Sequence, residues 1–442
     1  MAAATQEKTG LGNYFVANYP PFSAWKPMHV TAAKAALQRP RQAGTPLGLY
    51  LHIPFCRKRC KFCYFRVYTD KNSDDVATYS KALIREVELY SRMPVVAGRA
   101  LEFVYFGGGT PSYLSATQLG NLMTQLQKHI SWNRAREVTF ECEPGTLQQH
   151  KLAALKQLGV TRLSLGIENF KPEILQYNGR AHLEEEIFRA YDWARDLGFK
   201  QINIDLIAGM VGEDWDNWKD CVRKTIALAP ESVTIYQMEL PYNTTFSHEL
   251  KVIGQDEPRM EIADWPTKRA WVRYAFDELA GAGYEQSSAY TMVHAKRGRK
   301  MEFVYRDSLW HGADMLGTGV ASFGHMGGVH MQNEDAWSEY VGRILDKGEL
   351  PLHRALPITD RQRVIRELIL QLKTGRIEAA YFQRKFGVDV LDEFAEAWKG
   401  LEANHVLKVG ASDVRVTPDG LLQIDRNLPA FFESEYRAAR YT

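Results

Sequence analysis

Short runs of β-branched and aromatic residues alternate with amphipathic stretches from residue 47 to about residue 240, and this alternation constrains the fold most. The predicted strands are LGLYLHI, LEFVYF, EVTFEC, VTRLSLGI, QINIDLIAG and SVTIYQMEL. Strands separated by helices of this length form a parallel sheet. Six such units are too few to close an eight-fold barrel, so we predict an α/β fold, a partial (β/α)6 barrel. In such folds the chemistry lies at the C-terminal ends of the strands.

The segments between these strands carry helix-start signals. Ser73 is predicted to cap the helix DDVATYSKALIREVELY, whose apolar residues recur at helical spacing. Ser115 and Gln118 form a capping-box pattern before LGNLMTQLQKHI, and Thr146 and Gln149 repeat that pattern before the next helix.

The two ends of the chain differ from this alternating region. Residues 1–45 contain prolines, glycines and aromatics without periodicity, which predicts an irregular N-terminal arm. We expect the partial barrel at 46–285 and a barrel extension with substrate loops at 286–356. Residues 357–442 read as two helices and the short strands of VRVTPDGLLQID, which predicts a helical, winged-helix-like C-terminal module. This module lacks a basic cluster, so we expect it to pack on the barrel and not to bind DNA.

Composition and charge narrow the class of protein. The formal net charge of 442 residues is +2 and 45% of them are hydrophobic, an ordinary globular profile without a basic block for nucleic acid. No apolar run is long enough for a membrane span, and the N-terminus lacks the pattern of a secretory signal. Five cysteines, an odd number, do not suggest a disulfide framework, so we expect a cytoplasmic protein.

Three of the five cysteines lie within eight positions, in CRKRCKFC. A structural zinc site usually needs four ligands, and no second Cys or Cys-His pair follows Cys56, Cys60 and Cys63. A disulfide would leave one thiol over and close only a very short loop. Three thiolates suit a cubic [4Fe–4S] cluster with one iron left open. Cys142 and Cys221, which are isolated, are predicted to be small buried hydrophobic residues.

This cysteine spacing after the strand LYLHIPF resembles the radical S-adenosylmethionine (SAM) superfamily. In that superfamily the open iron binds the amino and carboxylate groups of SAM. One electron from the reduced cluster then cleaves SAM and releases a 5′-deoxyadenosyl radical. The resemblance therefore implies two cofactors, a [4Fe–4S] cluster and SAM, and a radical SAM barrel.

Polar and glycine residues at later strand ends could hold SAM. The glycine run of YFGGGTPS allows a ligand to approach the backbone closely. A carboxylate at a strand end could accept hydrogen bonds from the ribose hydroxyls or the methionyl ammonium, and an arginine could clamp the SAM carboxylate. The candidates are Gly108, Gly109, Thr110, Glu141, Glu168, Arg180 and Asp205.

More specifically, the sequence resembles the oxygen-independent coproporphyrinogen III oxidase family over residues 47 to 330. LYLHIPFCRKRCKFC, FGGGTPSYL, ECEPGT, RLSLGIENF, INIDLIAG and MLGTGVASFGHMGG occur in matching order. The resemblance implies that Tyr50 and Phe62 pack around SAM and the cluster, and that Met238 and Phe323 lie near a second SAM site. It implies oxidative decarboxylation of a tetrapyrrole propionate, with an electron donor such as flavodoxin or ferredoxin. It assigns no residue to the hydrogen-transfer step.

Three departures from the family leave other activities open, one of which is that NYFVANYPPFSAW only faintly resembles the N-terminal arm of the oxidase. Tyr64 and Phe65 stand where the oxidase has Gly-Cys after the third cysteine, and Glu168 stands where the family has glutamine. The group also contains heme chaperones, heme-degrading methyltransferases and small-molecule methyltransferases or cyclopropanases. The basic stretch HAKRGRK at 294–300 is a candidate contact for substrate propionates or a solvated loop.

Overall fold

The computed structural model describes residues 15–241, 244–252, 262–294 and 302–439. The strands are β1 (Leu47–Ile53), β2 (Leu101–Gly108), β3 (Glu137–Cys142), β4 (Arg162–Glu168), β5 (Gln201–Ala208), β6 (Ser232–Gln237), β7 (Tyr284–Gln286), β8 (Thr291–His294), β9 (Asp314–Thr318), β10 (Phe323–Met326), β11 (Val329–Asn333), β12 (Leu352–Pro357), β13 (Arg376–Glu378), β14 (Leu407–Val409) and β15 (Asp413–Val416).

Helices connect these strands in the order expected from the sequence. They are α1 (Val30–Leu37), α2 (Ser73–Ser91), α3 (Ala116–His129), α4 (Gln149–Gln157), α5 (Pro172–Tyr177), α6 (Glu184–Asp196), α7 (Trp215–Leu228), α8 (Thr245–Val252), α9 (Trp265–Gly281), α10 (Val304–Trp310), α11 (Trp337–Leu345), α12 (Asp360–Leu372), α13 (Ala379–Phe386), α14 (Val390–Glu393), α15 (Ala395–Ala403), α16 (Pro418–Leu421) and α17 (Ile424–Asn427). None of the described helices is long and apolar enough to cross a membrane.

The main sheet confirms the predicted partial barrel. Its strand order is β12-β11-β10-β9-β1-β2-β3-β4-β5-β6-β8-β7, in which β1 to β6 are parallel neighbours in chain order. The later strands extend both edges, since β9 pairs parallel with β1 and β8 pairs antiparallel with β6. Most residues of β1 are buried, as expected for a strand covered on both faces. The carboxyl ends of the six central strands therefore meet along one rim.

The predicted capping residues are correct for α3 and wrong for α2 and α4. Ser115 and Gln118 form the expected capping box of α3. The cap of α2 is Asn72 instead of Ser73, because its side chain accepts from the backbone N–H groups of the next turn. Gln148 precedes α4 without a side-chain capping bond, whereas Thr146 bonds back to a backbone carbonyl.

The C-terminal module is a small α/β unit with its own core. A three-stranded antiparallel sheet, in the order β13-β15-β14, packs with α12, α13 and α15. Its hairpin joins β14 to β15, so LLQID is not a strand as expected and instead contributes to α16 and α17. The single helix predicted from residue 390 is divided into α14 and α15.

The N-terminal arm is more regular than predicted and connects the two cores. It contains α1, whose Ala33 and Ala36 pack in the core of the barrel. Val16 and Tyr19 pack in the core of the C-terminal module. The arm therefore contributes to both hydrophobic cores.

Candidate functional site

The cysteine loop begins directly after β1, at the carboxyl rim of the sheet. Cys56, Cys60 and Cys63 are unpaired and partly exposed. The loop is fixed by backbone hydrogen bonds from Cys56 N to the Tyr68 carbonyl at 3.1 Å and from Cys63 N to the Cys60 carbonyl at 3.1 Å. The two isolated cysteines, Cys142 and Cys221, are buried as predicted.

Two side chains from other elements donate hydrogen bonds to the cysteine sulfurs. Thr110 Oγ1 lies 3.3 Å from Cys56 Sγ, and Arg180 Nη1 lies 3.3 Å from Cys60 Sγ. Burial raises the pKa of the Cys56 thiol to about 11 and that of Cys63 to about 12. A bound metal must therefore displace thiol protons, and donors to sulfur are the contacts that stabilise metal-bound thiolates.

Glycines allow the loops of the rim to approach one another closely. Ile53 pairs with Gly108 across β1 and β2, so the cysteine loop starts beside the glycine run. A Cβ atom on Gly109 would lie 2.9 Å from the Ile53 carbonyl oxygen. Gly179 has a φ of +79° and lies against Cys60, where a Cβ would come within 3.4 Å of the cysteine Cα. Side chains at these positions would displace the cysteine loop.

Glu141, at the end of β3, is held by two donors. Tyr105 donates its hydroxyl hydrogen to Oε1 at 2.6 Å, and the Gly108 N–H donates to Oε2 at 3.1 Å. Burial raises the pKa of this carboxyl to about 7; the hydrogen bond from Tyr105 acts against the shift, and the charge of Asp205 adds to it. Tyr50 stacks on Tyr105 at 5.9 Å, so its ring lies at the same part of the rim.

Asp205 and Glu168 place two further carboxylates at the rim. Asp205 accepts from Ser164 at 2.7 Å and from Asn203 at 2.8 Å, and burial raises its pKa to about 6. Glu168 has a φ of +65°, a left-handed backbone that is uncommon and costly for a residue with a side chain. Burial raises its pKa to about 7, although Arg180 opposes the shift. Such local strain is typical of functional sites.

Arg180 links these carboxylates to the cysteine loop. Its Nη2 donates to the Gly166 carbonyl at 2.5 Å and lies 3.8 Å from Glu168 Oε1. Its Nε atom is buried without a hydrogen-bond partner. The sequence thus predicted a set of rim residues that the structure brings together: Tyr50, Gly108, Gly109, Thr110, Glu141, Glu168, Arg180 and Asp205.

The apolar candidates lie in two separate places. Phe62 packs with Met238, Met210 and Phe246 in a small apolar cluster after β5 and β6. Phe323, at the start of β10, instead packs against Phe22, with ring centroids 4.1 Å apart and the rings tilted by 36°. Met238 follows β6 and Phe323 follows β9, and these two strands lie on opposite sides of β1 in the sheet order. The role of both residues at a second SAM site stays a prediction.

A further polar network was not expected from the sequence. Arg57, between two of the cysteines, forms a forked ion pair with Glu143 through distances of 3.0 and 3.2 Å. His182 Nδ1 lies 3.3 Å from the same carboxylate. Burial disfavours the Glu143 carboxylate, but His182 and Arg57 outweigh it and hold its pKa near 2. Glu143 lies just after β3, so its place directly beyond a strand end was the only local signal for it.

The donor set fits an iron–sulfur cluster. The three thiols come from one loop and could each bind a different iron atom; two of them, Cys56 and Cys60, receive hydrogen bonds from Thr110 and Arg180. In the described ranges no three His, Cys, Asp or Glu side chains are arranged around a single metal ion. Of the basic stretch at 294–300, only His294 belongs to the described residues.

The chain is similar to known proteins in both sequence and fold. Residues 50–225 match the radical SAM superfamily. The chain is 30% identical, over 89% of both chains, to an oxygen-independent coproporphyrinogen III oxidase of Pseudomonas aeruginosa. It is 26% identical to a heme chaperone, HemW, of Bacillus subtilis over 84% of this chain and 96% of that protein. The coproporphyrinogen III oxidase structure from Escherichia coli, 24% identical, superposes with a TM-score of 0.81 over 95% of this chain and 96% of that one.

The fold and the cysteine loop together define this chain as a radical SAM protein. Proteins of this class bind a [4Fe–4S] cluster and SAM. The chain belongs to the oxygen-independent coproporphyrinogen III oxidase-like, or HemN-like, family.

Proposed function

We propose that this protein is a radical SAM enzyme that oxidatively decarboxylates a propionate side chain of a tetrapyrrole. The observation that carries the proposal is Arg180, which contacts Cys60 and lies beside Glu168 at the rim. That arrangement suits a ligand that is anionic at one end and cationic at the other, placed next to an iron cluster. The tetrapyrrole substrate is inferred from the relatives named coproporphyrinogen III oxidase.

The cofactor contacts follow from the charges at the rim. Cys56, Cys60 and Cys63 would bind three irons of the cluster. Arg180 would bind the SAM carboxylate, and the segment from Gly108 to Thr110 would contact its methionyl amine. The anionic forms of Glu141, Glu168 and Asp205 would accept hydrogen bonds from its ammonium and ribose hydroxyls.

When bound, the reduced cluster and SAM supply a 5′-deoxyadenosyl radical that removes a β-hydrogen atom from the propionate. The substrate radical would then lose carbon dioxide and pass one electron to an external one-electron acceptor, which would leave a vinyl group. The residues of the chain hold the reactants in position: Thr110 and Arg180 donate to the sulfurs, and Tyr105 fixes the Glu141 carboxylate.

The reducing electron requires a partner. The exposed Lys58 and Arg59 of the cysteine loop give it a positive surface, which suits an acidic donor such as flavodoxin or ferredoxin. The free thiols favour a reducing compartment such as the cytoplasm.

The test is anaerobic incubation of the reconstituted protein with SAM, dithionite and coproporphyrinogen III. We expect 5′-deoxyadenosine together with a product that has lost two carboxyl groups, both read by mass spectrometry. If the cluster-loaded protein forms deoxyadenosine from SAM but leaves the porphyrinogen intact, coproporphyrinogen III is not the substrate, although the protein still performs radical SAM chemistry.

Two other activities remain candidates within the family. The HemW relatives suggest a heme chaperone, which would bind heme stoichiometrically without decarboxylation. A methyltransferase or cyclopropanase would need a second SAM, for which Met238 and Phe323 were predicted. Repeating the incubation with added heme distinguishes them, since a chaperone would form a stoichiometric heme complex and leave the porphyrinogen intact, whereas the second activity would give a methylated or cyclopropane-containing product.

A further inference from the structure

A cavity of about 290 Å³ lies between the barrel and the C-terminal module, away from the cysteine loop. Pro46, which precedes β1, and Asp314, the first residue of β9, line it from the barrel side. Arg366 of α12 and Lys385 of α13 line it from the module. Because Cys56 follows the other end of β1, the length of that strand separates the cavity from the cysteine loop by roughly 20 Å.

Arg366 brings an unsatisfied charge to this cavity. The residue is only 5% exposed, and its Nε donates to Asn18 Oδ1 at 2.8 Å. Within the described part of the chain, its Nη1 and Nη2 atoms have no hydrogen bond or ion pair. A buried guanidinium with two free donor atoms is costly unless a partner binds it.

The acidic residues of the cavity are already engaged by other groups. Asp314 forms a buried ion pair with Arg99 at 2.7 Å and also accepts from the Gly327 N–H. Glu367 pairs with Lys385 at 2.8 Å and accepts a hydrogen bond from Tyr381. Neither carboxylate forms an ion pair with Arg366, although both lie near enough to favour its charge. The residues that line the cavity include Arg363, Arg366 and Lys385 against two carboxylates, so positive charge is in excess.

A histidine pair supplies a hydrogen-bond acceptor on the barrel side. His330 Nε2 lies 2.9 Å from the Tyr19 carbonyl oxygen and must donate to it, which leaves His330 Nδ1 as an acceptor. His325 Nδ1 lies 3.0 Å from His330 Nδ1 and must be the donor of that bond. The neutral His325 ring, which lines the cavity, then carries an unprotonated Nε2 without a partner among the described residues.

We propose that this cavity is a binding site for a small oxyanion that also carries a hydroxyl hydrogen, of which hydrogen phosphate is the simplest. Arg366 would donate from its two free nitrogen atoms to oxygens of the anion, and His325 Nε2 would accept its hydroxyl hydrogen. Bound there, the anion would contact both the barrel and α12 of the C-terminal module. This site is independent of the proposed reaction at the rim.

The test is isothermal titration calorimetry of the cluster-loaded full chain with inorganic phosphate and, separately, with sulfate. The titrations are done in a buffer that lacks both anions, with chloride holding the ionic strength constant. We expect saturable phosphate binding that is tighter than sulfate binding, because sulfate at neutral pH has no hydrogen for His325. Absence of saturable phosphate binding, or a preference for sulfate, would overturn the proposal.

The variant Arg366→Gln should weaken phosphate binding at least roughly tenfold, because it removes a charge-assisted hydrogen bond. Arg361→Gln is the matched control, since Arg361 is exposed on the same helix and pairs with Glu393 outside the cavity. If Arg366→Gln does not fold, Arg363→Gln removes a second positive charge from the edge of the cavity, one that also pairs with Asp360, and should weaken binding as well. Unchanged phosphate affinity in the folded cavity variant would contradict the site.

Discussion

Arg180 donates a hydrogen bond to the sulfur of Cys60 at 3.3 Å, and its other terminal nitrogen lies 3.8 Å from Glu168 Oε1. One side chain therefore contacts the loop proposed to bind the cluster and the strand ends proposed to bind SAM. Burial opposes its charge, but Cys60 and Glu168 outweigh burial and raise the pKa of Arg180. The guanidinium therefore stays charged at the place where we propose that the cluster and SAM lie side by side.

Replacing Arg180 by lysine should weaken SAM binding while the cluster still assembles. Lysine keeps one positive charge but cannot contact Cys60, Gly166 and a carboxylate in the fixed fork of a guanidinium. Loss of a charge-assisted hydrogen bond predicts a Kd for SAM that rises roughly tenfold or more. Anaerobic equilibrium dialysis measures the affinity, and iron analysis checks the cluster.

The control is Arg189→Lys on α6, where the arginine is half exposed and faces Glu186. It should bind SAM as the wild type does. Equal SAM affinity in Arg180→Lys and Arg189→Lys would show that Arg180 does not contribute to SAM binding.

Replacing Cys60 by alanine should abolish the cluster. A cluster with two of its three thiolate ligands is no longer held by the loop, so iron and acid-labile sulfide should fall from about four of each per chain to near zero. Cys221→Ala is the comparison, because Cys221 is buried in α7. Full iron content in Cys60→Ala, or equal loss in both variants, would speak against the cysteine loop as the cluster site.

Much of this rim was predictable because periodicity and strand ends are local signals. Six strand–helix units predict a parallel sheet, and a parallel sheet brings the ends of all its strands together. Glu141 and Asp205 could therefore be chosen from the sequence as rim residues. The hydrogen bonds that hold them, from Tyr105 and Ser164, join residues 36 and 41 positions apart and depend on strand register.

The errors arose where neighbouring residues offered equivalent local signals. Asn72 and Ser73 can both cap a helix, and only the backbone conformation selects Asn72. Thr417 caps a short helix at Pro418, so the continuation of the expected hairpin becomes α16. The Arg57–Glu143 pair spans 86 positions and has no local signature.

Acidification should weaken SAM binding. Burial raises the pKa of Glu141 to about 7 and that of Asp205 to about 6, so both carboxyls take up protons as the pH falls from about 8 to about 6. A neutral carboxyl is a poorer acceptor for an ammonium group, and each proton taken up lowers the affinity by up to roughly tenfold per pH unit. Anaerobic calorimetry across this pH range measures the affinity for SAM and tests whether it falls as the pH falls.

Glu141→Gln supplies the matching control, because glutamine keeps the shape and cannot titrate. Its affinity for SAM should be lower at about pH 8 and should change less with pH than that of the wild type. Affinity that rises on acidification would show that these carboxyls do not contact the cation.

Glu86→Ala should destabilise the whole barrel. Glu86 is fully buried in α2 and accepts from the Asn333 side chain at 2.6 Å, the Gly319 N–H at 2.8 Å and the Tyr340 hydroxyl at 2.7 Å. Alanine leaves the Gly319 N–H and the Tyr340 hydroxyl without an acceptor, while Asn333 keeps its bonds to Gly319 and Ser322. Two buried donors without acceptors predict a loss of about 3 kcal/mol. Thermal unfolding followed by circular dichroism measures the effect.

Glu88→Ala, two residues further along α2, is the comparison because Glu88 pairs with Arg85 and Arg92 on the surface. Its stability should lie within about 0.5 kcal/mol of the wild type. A similar melting temperature for the two variants would show that the buried network does not stabilise the fold.

The aromatic pair after the third cysteine should contact the substrate. Tyr64 and Phe65 are 40% and 47% exposed, and their rings lie 4.6 Å apart at an angle of 32°. Exposed aromatic rings beside a reactive site are typical of ligand contacts. If the substrate is a tetrapyrrole, Phe65→Ala should raise its KM roughly three- to tenfold through the loss of ring contact.

This prediction separates substrate binding from radical formation. Deoxyadenosine release without substrate should be unchanged in Phe65→Ala, because the contact of Phe65 with the cysteine loop is a backbone hydrogen bond to Cys63, which alanine keeps. Leu345→Ala, which removes an equally exposed apolar side chain from α11, should leave both quantities unchanged. An unaltered KM in Phe65→Ala would place the substrate away from the aromatic pair, whereas a loss of deoxyadenosine release would place Phe65 at the SAM site instead.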